Sequence, residues 1–435
     1  MYTVGLYTLG CKVSQYETEA VAEAFAECGF RISNFDSACD VYVINTCTVT
    51  EESDRKSRQI IRRAIRKNAD AKVIVMGCYS ERSAEAIAEI SGVGAIIGTD
   101  GKLTAPKLAL GLLSGEITAP FIAKRPLECA EFEKMTVCHA PRTRAYVKIE
   151  DGCDSKCTYC AIKEARGAVR SKAPSEVISE VEALAAAGTA EIVLTGIEVA
   201  AYGKDFDEKY GLSELLCELD ERESCQRIRL GSLAPELIGE KFAVAASKLK
   251  ILVPHFHVSV QSGSDKVLAA MKRRYTRERA LENIERLRSL IPEATFTADI
   301  MVGFPGEDEK DFEESLDFVR RARLLDAHVF AFSRRRGTEA YDMKNQVPES
   351  VKKYRSRRMI EEKNAVRETV LADIVKSERH LPSVFENRVD GYFVAHSDTF
   401  VELRVKCDDD ISGQLLYVKP LYHKDGVIYG EIQKK

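Results

Sequence analysis

The stretch EDGCDSKCTYCAI at residues 150–162 contains three cysteines, Cys153, Cys157 and Cys160, in the spacing Cys-x3-Cys-x2-Cys. A 4Fe-4S cluster binds four thiolates, so three cysteines on one loop leave one iron open to another molecule. A structural zinc ion is the alternative. Such zinc is normally closed by four protein ligands, and no fourth Cys or His lies near this loop in the sequence. The spacing therefore favours an iron-sulfur cluster with one open iron.

In radical enzymes the open iron binds S-adenosylmethionine through its amino and carboxylate groups. Around the cysteine loop, apolar strands alternate with amphipathic helices, as in a barrel of parallel strands. The candidate strands cover residues 145–149, 191–196, 227–232, 255–261, 295–301 and 327–333. A closed barrel has eight strands, so residues 139–369 are predicted to form an open (β/α)6 part-barrel of the α/β class.

Residues at the ends of these strands are candidate contacts for S-adenosylmethionine, because functional residues of parallel barrels gather at the C-terminal strand ends. A polar group after the second strand is suited to the methionine amine, Arg273 to the carboxylate, and a glycine-rich turn to the adenine. Each is also common as a buried polar residue or a turn, but their agreement across successive strands favours a site. The candidates are Thr195, Gly196, Glu198, Ser232, Gln261, Arg273, Gly303, Pro305 and Gly306.

The first part of the chain shows the pattern of a second α/β unit. Apolar runs at 4–10, 40–46, 72–77 and 94–98 alternate with helical stretches, which is typical of parallel strands buried on both faces. Residues 1–116 are therefore predicted to form a doubly wound parallel sheet. Residues 117–138 contain two prolines and no clear periodicity, which indicates a linker.

Three further cysteines, Cys11, Cys47 and Cys78, each end one of these predicted strands. In open α/β sheets the carboxyl ends of parallel strands meet at the edge where ligands bind. We therefore predict that these thiols hold a second 4Fe-4S cluster with its own open iron. The other cysteines follow no such pattern and are interpreted as ordinary thiols: Cys28, Cys39, Cys129, Cys138, Cys217, Cys225 and Cys407.

The residue pattern changes near the end of the chain. After a charged helical stretch at about 349–378, short β-like runs are separated by turn residues. This pattern predicts a small all-β barrel over residues 371–435.

Composition supports a metal-binding interpretation of the cysteines. The 435 residues include 13 Cys, an odd number, and the N-terminus has no export signal, so a disulfide framework is not expected. No run of 18 apolar residues occurs, which argues against a membrane span. A cytoplasmic protein is expected.

Three runs of basic residues predict contacts with a nucleic acid, although the net charge is only -4. A single basic run is usually a solvated face, whereas three runs in one slightly acidic chain favour focused phosphate contacts. The first run comprises Arg55, Lys56, Arg58, Arg62, Arg63, Arg66 and Lys67. The others comprise Arg320, Arg321, Arg323, Arg334, Arg335 and Arg336, and the segment 352–358.

The chain resembles a radical S-adenosylmethionine methylthiotransferase over its whole length. The motifs that carry the resemblance are LGCKVSQYETE, INTCTVT, GCDSKCTYCAI, EARGAVRS, PHFHVSVQSGSDKVLAAMKRRYT and DIMVGFPGE. The opening LGCKxxQYE is similar to the branch that acts on N6-threonylcarbamoyladenosine in tRNA. The chain departs from that branch at Ser14, where asparagine is usual, and at Lys163 and Glu164, where Pro-Tyr is usual.

The resemblance implies methylthiolation of C2 of adenosine 37, next to the anticodon in the anticodon stem-loop of tRNA. It also implies two 4Fe-4S clusters, with S-adenosylmethionine as methyl donor and radical source, and a C-terminal TRAM domain. An electron donor such as flavodoxin or ferredoxin and a sulfur source are expected partners. Isopentenyladenosine 37 and a ribosomal-protein aspartate are the alternative substrates, and a two-cluster electron carrier is the alternative outside enzymes.

Cationic side chains near the radical cluster are candidates for the carboxylate of the threonylcarbamoyl group. Lys163, Arg166 and Arg170 lie within ten residues of Cys160 in the sequence. Their alternative role is to pair with Glu164 and Asp151. Arg334, Arg335 and Arg336 are the candidate contacts to the RNA backbone.

Overall fold

The computed structural model describes residues 1–123, 131–138, 143–207 and 209–433. Cys129 and the first residues of the predicted core, 139–142, lie outside the described residues. Within those ranges no helix has the length and apolar character to cross a membrane.

The N-terminal part is a six-stranded, wholly parallel sheet with the strand order β2-β1-β3-β4-β5-β6, which confirms the predicted doubly wound sheet. Its strands are β1 (Thr3–Thr8), β2 (Arg31–Ser33), β3 (Val41–Thr46), β4 (Lys72–Gly77), β5 (Val93–Ile97) and β6 (Phe121–Ala123). Its helices are α1 (Lys12–Glu27), α2 (Glu51–Lys67), α3 (Cys78–Arg82), α4 (Ala84–Ala88) and α5 (Ala105–Ser114). The sequence did not predict the edge strands β2 and β6, because three residues are too few to show a pattern. Strand β6 lies within residues 117–138, the predicted linker.

Side chains of the central strands point alternately to the two faces of the sheet, and both faces pack against an apolar core. In β3, Val41 and Val43 join one core, whereas Tyr42 and Ile44 join the core on the opposite face. Successive side chains of a strand point to opposite faces, so a strand buried on both faces is a continuous apolar run.

The central part is an open array of parallel strands in two sheets, ordered β7-β10-β11 and β12-β13-β14-β15. These seven strands correspond to the six predicted ones, because β11 and β12 together form the third. Its strands are β7 (Arg144–Lys148), β8 (Glu150–Asp151), β9 (Arg170–Ser171), β10 (Glu191–Thr195), β11 (Ile228–Leu230), β12 (Ser232–Leu233), β13 (His255–Gln261), β14 (Thr295–Val302) and β15 (Asp326–Ala331). The short strands β8 and β9 pair only with each other. The third predicted strand is divided at Gly231 into β11 and β12, so that it takes part in both sheets.

The helices of this part are α6 (Ile162–Arg166), α7 (Pro174–Ala186), α8 (Leu212–Glu221), α9 (Glu240–Ala246), α10 (Asp265–Ala270), α11 (Arg277–Leu290), α12 (Glu309–Ala322), α13 (Glu339–Asp342) and α14 (Glu349–Lys376). Helix α14 runs through the boundary predicted between residues 369 and 371, because its sequence stays helical to Lys376.

The C-terminal part is a closed five-stranded barrel with the order β16-β17-β18-β20-β19, which fits the expected TRAM domain. Its strands are β16 (Leu381–Val389), β17 (Tyr392–Ser397), β18 (Glu402–Val405), β19 (Leu415–Lys424) and β20 (Val427–Ile432). Its interior is continuous with that of the central part, because Leu381 and Phe385 belong to the same apolar cluster as Met359 and Ile228.

Candidate functional site

The loop that carries Cys153, Cys157 and Cys160 lies between β8 and α6 and is closed by its own backbone. The N–H of Cys153 donates to the carbonyl of Gly167 at 3.0 Å, and the N–H of Cys160 donates to that of Cys157 at 3.1 Å. Gly152 has φ +85°, and a Cβ there would lie 1.8 Å from the carbonyl oxygen of Ala168, so only glycine permits this turn.

The three thiols have the environment of cluster ligands. The N–H groups of Ser155 and Ile162 donate to the sulfurs of Cys153 and Cys160, both at 3.4 Å, and all three cysteines are partly exposed. Burial raises the pKa of Cys153 and raises that of Cys160 to about 12. The free thiols of Cys153 and Cys160 are therefore protonated near neutral pH, and iron binding must release their protons. Three thiols on one loop, two of which accept a backbone N–H at sulfur, fit an iron-sulfur cluster.

Arg273 lies directly on this loop. Its Nη1 is 3.5 Å from Cys157 Sγ, while Nη2 donates to the carbonyl of Ser259 at 2.9 Å and Nε donates to Tyr275 Oη at 3.2 Å. The sequence predicted that Arg273 meets the carboxylate of S-adenosylmethionine. The structure places its cation beside the Cys157 thiol, and contact with that carboxylate stays a prediction.

Glu198 lies at the end of β10, in a turn organised by a second carboxylate. The N–H of Glu198 donates to Glu150 Oε2 at 2.8 Å, and the N–H of Ala234 donates to Glu198 Oε1 at 3.0 Å. Thr195 is buried, and a Cβ at Gly196 would lie 2.6 Å from Glu150 Oε2. Burial raises the pKa of Glu198 to about 7, and the charge of Arg273 opposes that shift. The two groups predicted to hold the two ends of methionine therefore lie within electrostatic reach of each other.

If Glu198 holds the methionine amine, the affinity for S-adenosylmethionine is expected to depend on pH. Protonation below pH 7 removes the negative charge expected to hold the ammonium group, so binding should be about tenfold weaker at pH 6 than at pH 8. Anaerobic equilibrium dialysis across this range measures the effect. The variant Glu198→Gln should bind weakly with a flat profile, and a parent protein with a flat profile would contradict the role of Glu198.

The remaining candidate contacts lie at or just after the ends of β11, β13 and β14 and differ in their exposure to solvent. Gln261 is 8% exposed and adopts φ +68°, beside an irregularity in the β13-β14 pairing. Ser232 and Gly306 are partly exposed, whereas Pro305 is buried. A Cβ at Gly303 would lie 2.4 Å from Lys352 Cγ, so this glycine makes room for the Lys352 side chain. Contact of these residues with the cofactor stays a prediction.

The second cysteine triplet is assembled at one edge of the N-terminal sheet. Cys11 precedes α1, Cys47 follows β3 and Cys78 opens α3, and the strands β1, β3 and β4 that lead to them are adjacent. Gly10 adopts φ +119°, and a Cβ there would lie 3.2 Å from Cys47 Cβ. The close approach that glycine permits therefore brings the end of β1 against Cys47.

The thiols of this triplet also fit a cluster. Cys11 is exposed, whereas Cys47 and Cys78 are buried. Burial raises the pKa of Cys47 and raises that of Cys78 to about 11, and charge on Cys11 would raise both further. No three His, Cys, Asp or Glu side chains in the described parts of the chain are grouped to hold one metal ion. Each thiolate of a 4Fe-4S cluster binds a different iron, so three thiols need not converge on one point.

Helices α3 and α6 bring the two triplets to opposite sides of one contact between the N-terminal and central parts. Helix α3 begins with Cys78, and α6 begins two residues after Cys160. The hydroxyl of Thr99 donates to the carbonyl of Ala165 at 2.6 Å, and Arg82 pairs with Glu164 at 2.9 Å. The two predicted cluster loops thus face a common interface.

The three cations predicted to hold the threonylcarbamoyl carboxylate have different surroundings, although Arg166 and Arg170 both pair with Asp151, at 3.0 and 3.6 Å. Lys163 is exposed. Arg166 is 1% exposed, and its N–H groups are directed at Glu17, Asp151 and Cys78. This pairing corrects the expectation for Arg166, because no N–H is directed toward solvent. Arg170 is also buried, but its Nε and Nη1 have no hydrogen-bond partner among the described residues.

Most arginines of the basic runs are engaged in pairs within the protein. Arg320, Arg321 and Arg323 pair with Glu362, Glu278 and Asp373. Arg335 is 5% exposed and donates to Asp54 at 2.9 Å, and also to Thr48, so it joins two domains. Its burial is incompatible with direct phosphate contact in this conformation, which corrects that prediction. Arg334 and Arg336 are exposed.

Two groups of residues were not predicted from the sequence. Buried Glu17, Lys102 and Lys148 form ion pairs at the interface between the N-terminal and central parts. Of these, Lys148 alone lies inside an otherwise apolar run, AYVKI at 145–149. On the C-terminal barrel, Tyr422 and Tyr429 stack at 4.9 Å with an interplanar angle of 7°, and Tyr422 is 51% exposed. No short motif in the sequence indicated this exposed aromatic pair.

Two family models match the chain. Residues 147–319 match the radical SAM superfamily, and residues 3–98 match the uncharacterized protein family UPF0004. The first match implies S-adenosylmethionine and one 4Fe-4S cluster, and it includes the loop with Cys153, Cys157 and Cys160. The solved structure of the radical S-adenosylmethionine methyltransferase TsrM from Kitasatospora setae has a TM-score of 0.59 and 16% identity, covering 78% of this chain and 77% of that one. This likeness supports the fold.

Full-length relatives define the family more narrowly. The threonylcarbamoyladenosine tRNA methylthiotransferase MtaB of Bacillus subtilis is 38% identical, over 100% of this chain and 96% of its own length. The tRNA-2-methylthio-N(6)-dimethylallyladenosine synthase of Carboxydothermus hydrogenoformans is 33% identical, over 97% and 98%. With these relatives and the radical SAM core around its cysteine loop, the chain belongs to the radical S-adenosylmethionine methylthiotransferase family.

Proposed function

We propose that this protein methylthiolates C2 of N6-threonylcarbamoyladenosine at position 37 of tRNA, giving 2-methylthio-N6-threonylcarbamoyladenosine. The observation that carries the proposal is the contact between α3, which begins with Cys78, and α6, which begins two residues after Cys160. The names of the relatives at 38% and 37% identity support the threonylcarbamoyl substrate.

The proposal assigns one 4Fe-4S cluster to each triplet. Cys153, Cys157 and Cys160 would hold the cluster that supplies the electron for cleavage of S-adenosylmethionine, and Cys11, Cys47 and Cys78 would hold the cluster that carries the sulfur to be methylated. The C2 hydrogen is not acidic, so a base would not remove it usefully, whereas a radical can abstract it. Glu198 and Arg273 bind the ends of methionine. The division into domains at 1–116, 139–369 and 371–435 belongs to this proposal.

Specificity for the threonylcarbamoyl carboxylate is assigned to Lys163 and Arg170. Buried donors normally have a partner, and the two unpartnered nitrogens of Arg170 are available to an anionic ligand. An apolar isopentenyl group would leave them unsatisfied, at a cost of about 1–3 kcal/mol. We further propose that a reduced flavodoxin or ferredoxin donates the electrons, that a separate source supplies the sulfur, and that the reaction takes place in the cytoplasm.

The substrate is tested by nucleoside mass spectrometry after anaerobic reaction with tRNA that carries threonylcarbamoyladenosine, isopentenyladenosine or unmodified adenosine at position 37. Conversion of the threonylcarbamoyl substrate should exceed the others by at least about tenfold. Preferential conversion of the isopentenyl tRNA, or modification of a ribosomal protein with neither tRNA changed, would refute the substrate assignment.

Binding of tRNA is expected to depend on exposed cations without a carboxylate partner. Among the described residues neither Arg334 nor Arg336 forms an ion pair. The double variant Arg334→Gln/Arg336→Gln should weaken tRNA binding, and the slope of log affinity against log salt should fall by about 1 for each phosphate that is no longer neutralised. Arg320→Gln/Arg321→Gln is the matched control, because both of its arginines are paired. If the Arg334→Gln/Arg336→Gln variant has the same affinity and the same salt slope as its parent, Arg334 and Arg336 do not contact tRNA phosphates.

The C-terminal barrel is assigned a second contact with RNA. The exposed Tyr422 ring, stacked on Tyr429, offers an aromatic surface on which a base can stack. Deleting residues 371–435 would not isolate this contribution, because Arg227 and Arg229 of the central part donate to the barrel carbonyls of Pro382 and Asp398.

A further inference from the structure

Arg166 connects the two cysteine triplets in space. It is the last residue of α6, which follows Cys160, and its Nε lies 3.2 Å from the sulfur of Cys78. The two residues are 88 positions apart in the sequence. The contact joins the loop of one predicted cluster to a ligand of the other.

The guanidinium of Arg166 is held rigidly by two buried carboxylates. Nη1 donates to Glu17 Oε1 at 2.8 Å and to both oxygens of Asp151 at 3.0 Å, while Nη2 donates to Glu17 Oε2 at 3.2 Å. Lys148 fixes these carboxylates in turn, at 2.9 Å from Glu17 and 2.6 Å from Asp151. Because the guanidinium is planar, these bonds leave the Nε–H directed at Cys78.

We infer that Arg166 is a positioning residue that orients the Cys78 thiolate and raises the reduction potential of the N-terminal cluster, an inference that rests on the proposed function. One-electron reduction adds a negative charge to a cluster. A buried cation that donates to a ligand sulfur stabilises the reduced form more than the oxidised form. The same side chain also ties Cys78 to Asp151, two residues before Cys153.

The test uses full-length protein in which Cys153, Cys157 and Cys160 are replaced by alanine, so that only the N-terminal cluster remains. Anaerobic dithionite titrations with iron analysis and EPR spectroscopy compare this parent with Arg166→Gln, Arg166→Lys and Lys102→Gln. Lys102 is the matched control, because it is a buried cation paired with Glu17 at 3.2 Å but is not the donor to Cys78.

In Arg166→Gln the ratio of reduced to oxidised cluster at a fixed potential should fall about tenfold, equal to about 59 mV for one electron, with a changed EPR spectrum. Lys102→Gln should lower this ratio less than Arg166→Gln does. Arg166→Lys should give a ratio between those of Arg166→Gln and the parent. If the glutamine variant does not retain iron, the lysine variant is compared with the parent and should show a smaller shift in the same direction. An unchanged potential and spectrum with iron retained, or an equal shift in Lys102→Gln, would overturn the inference alone. Absence of iron from the parent would overturn the second cluster and the inference with it.

Discussion

Protein in which Cys11, Cys47 and Cys78 are replaced by alanine is expected to cleave S-adenosylmethionine to 5'-deoxyadenosine while making no methylthio product. The loop 152–161 keeps its own closing hydrogen bonds in this variant, since none of them involves the N-terminal sheet. Replacing Cys153, Cys157 and Cys160 instead should abolish 5'-deoxyadenosine. Each triple variant should retain roughly half of the parent's iron, because one cluster remains.

Liquid chromatography of the nucleosides, combined with iron and sulfide analysis of anaerobic protein, measures these outcomes. Simultaneous replacement of Cys28, Cys217 and Cys407 is the control, because these cysteines lie outside both triplets and are exposed or partly exposed. Loss of all cleavage from the Cys11/Cys47/Cys78 variant with its radical cluster intact would show that the two triplets do not have separate roles. If the parent contains iron for a single cluster, the assignment of a second cluster is wrong.

The substitution Glu191→Gln is expected to lower stability by about 3–5 kcal/mol. Glu191 is fully buried, accepts hydrogen bonds from Arg227 at 2.6 Å and Arg229 at 2.9 Å, and forms an ion pair with Arg144 at 2.7 Å. A neutral amide would leave three arginines without their shared negative charge at the contact with the C-terminal barrel. The shift of the urea midpoint, monitored by circular dichroism, measures the loss. Glu218→Gln, at the partly exposed partner of Arg222, should cost at most about 1 kcal/mol.

The effect of Glu191 should also depend on pH. Burial alone would raise its pKa, but the charges of Arg229, Arg227 and Arg144 hold the pKa below its usual value. A depressed carboxyl pKa contributes stability above the unfolded value, and that stability is lost as pH falls through the folded value. The difference between parent and variant should therefore be largest above about pH 5 and shrink in acid. A difference that grows in acid would contradict this account.

Local patterns were sufficient to predict the cluster loop and the strands that lead to both triplets. Cys153, Cys157 and Cys160 lie within eight consecutive residues, so their spacing can be seen directly in the sequence. The alternation of apolar strands with helices likewise depends on residues close together in the chain. The meeting of Cys11, Cys47 and Cys78 followed from topology, because parallel strands end at one edge of their sheet. The closed C-terminal barrel followed from its short strands and turns.

Tertiary structure decided the roles of the charged residues. The sequence by itself indicated which cysteines are candidates for the iron chemistry, because ligand spacing and strand ends are encoded locally. It did not establish that Arg166 donates to Cys78, that Arg335 is buried against Asp54, or that Arg170 keeps unpartnered nitrogens. The partner of a charge depends on how domains dock and which groups lose water. That arrangement joins residues far apart in the chain, so only the folded molecule determines it.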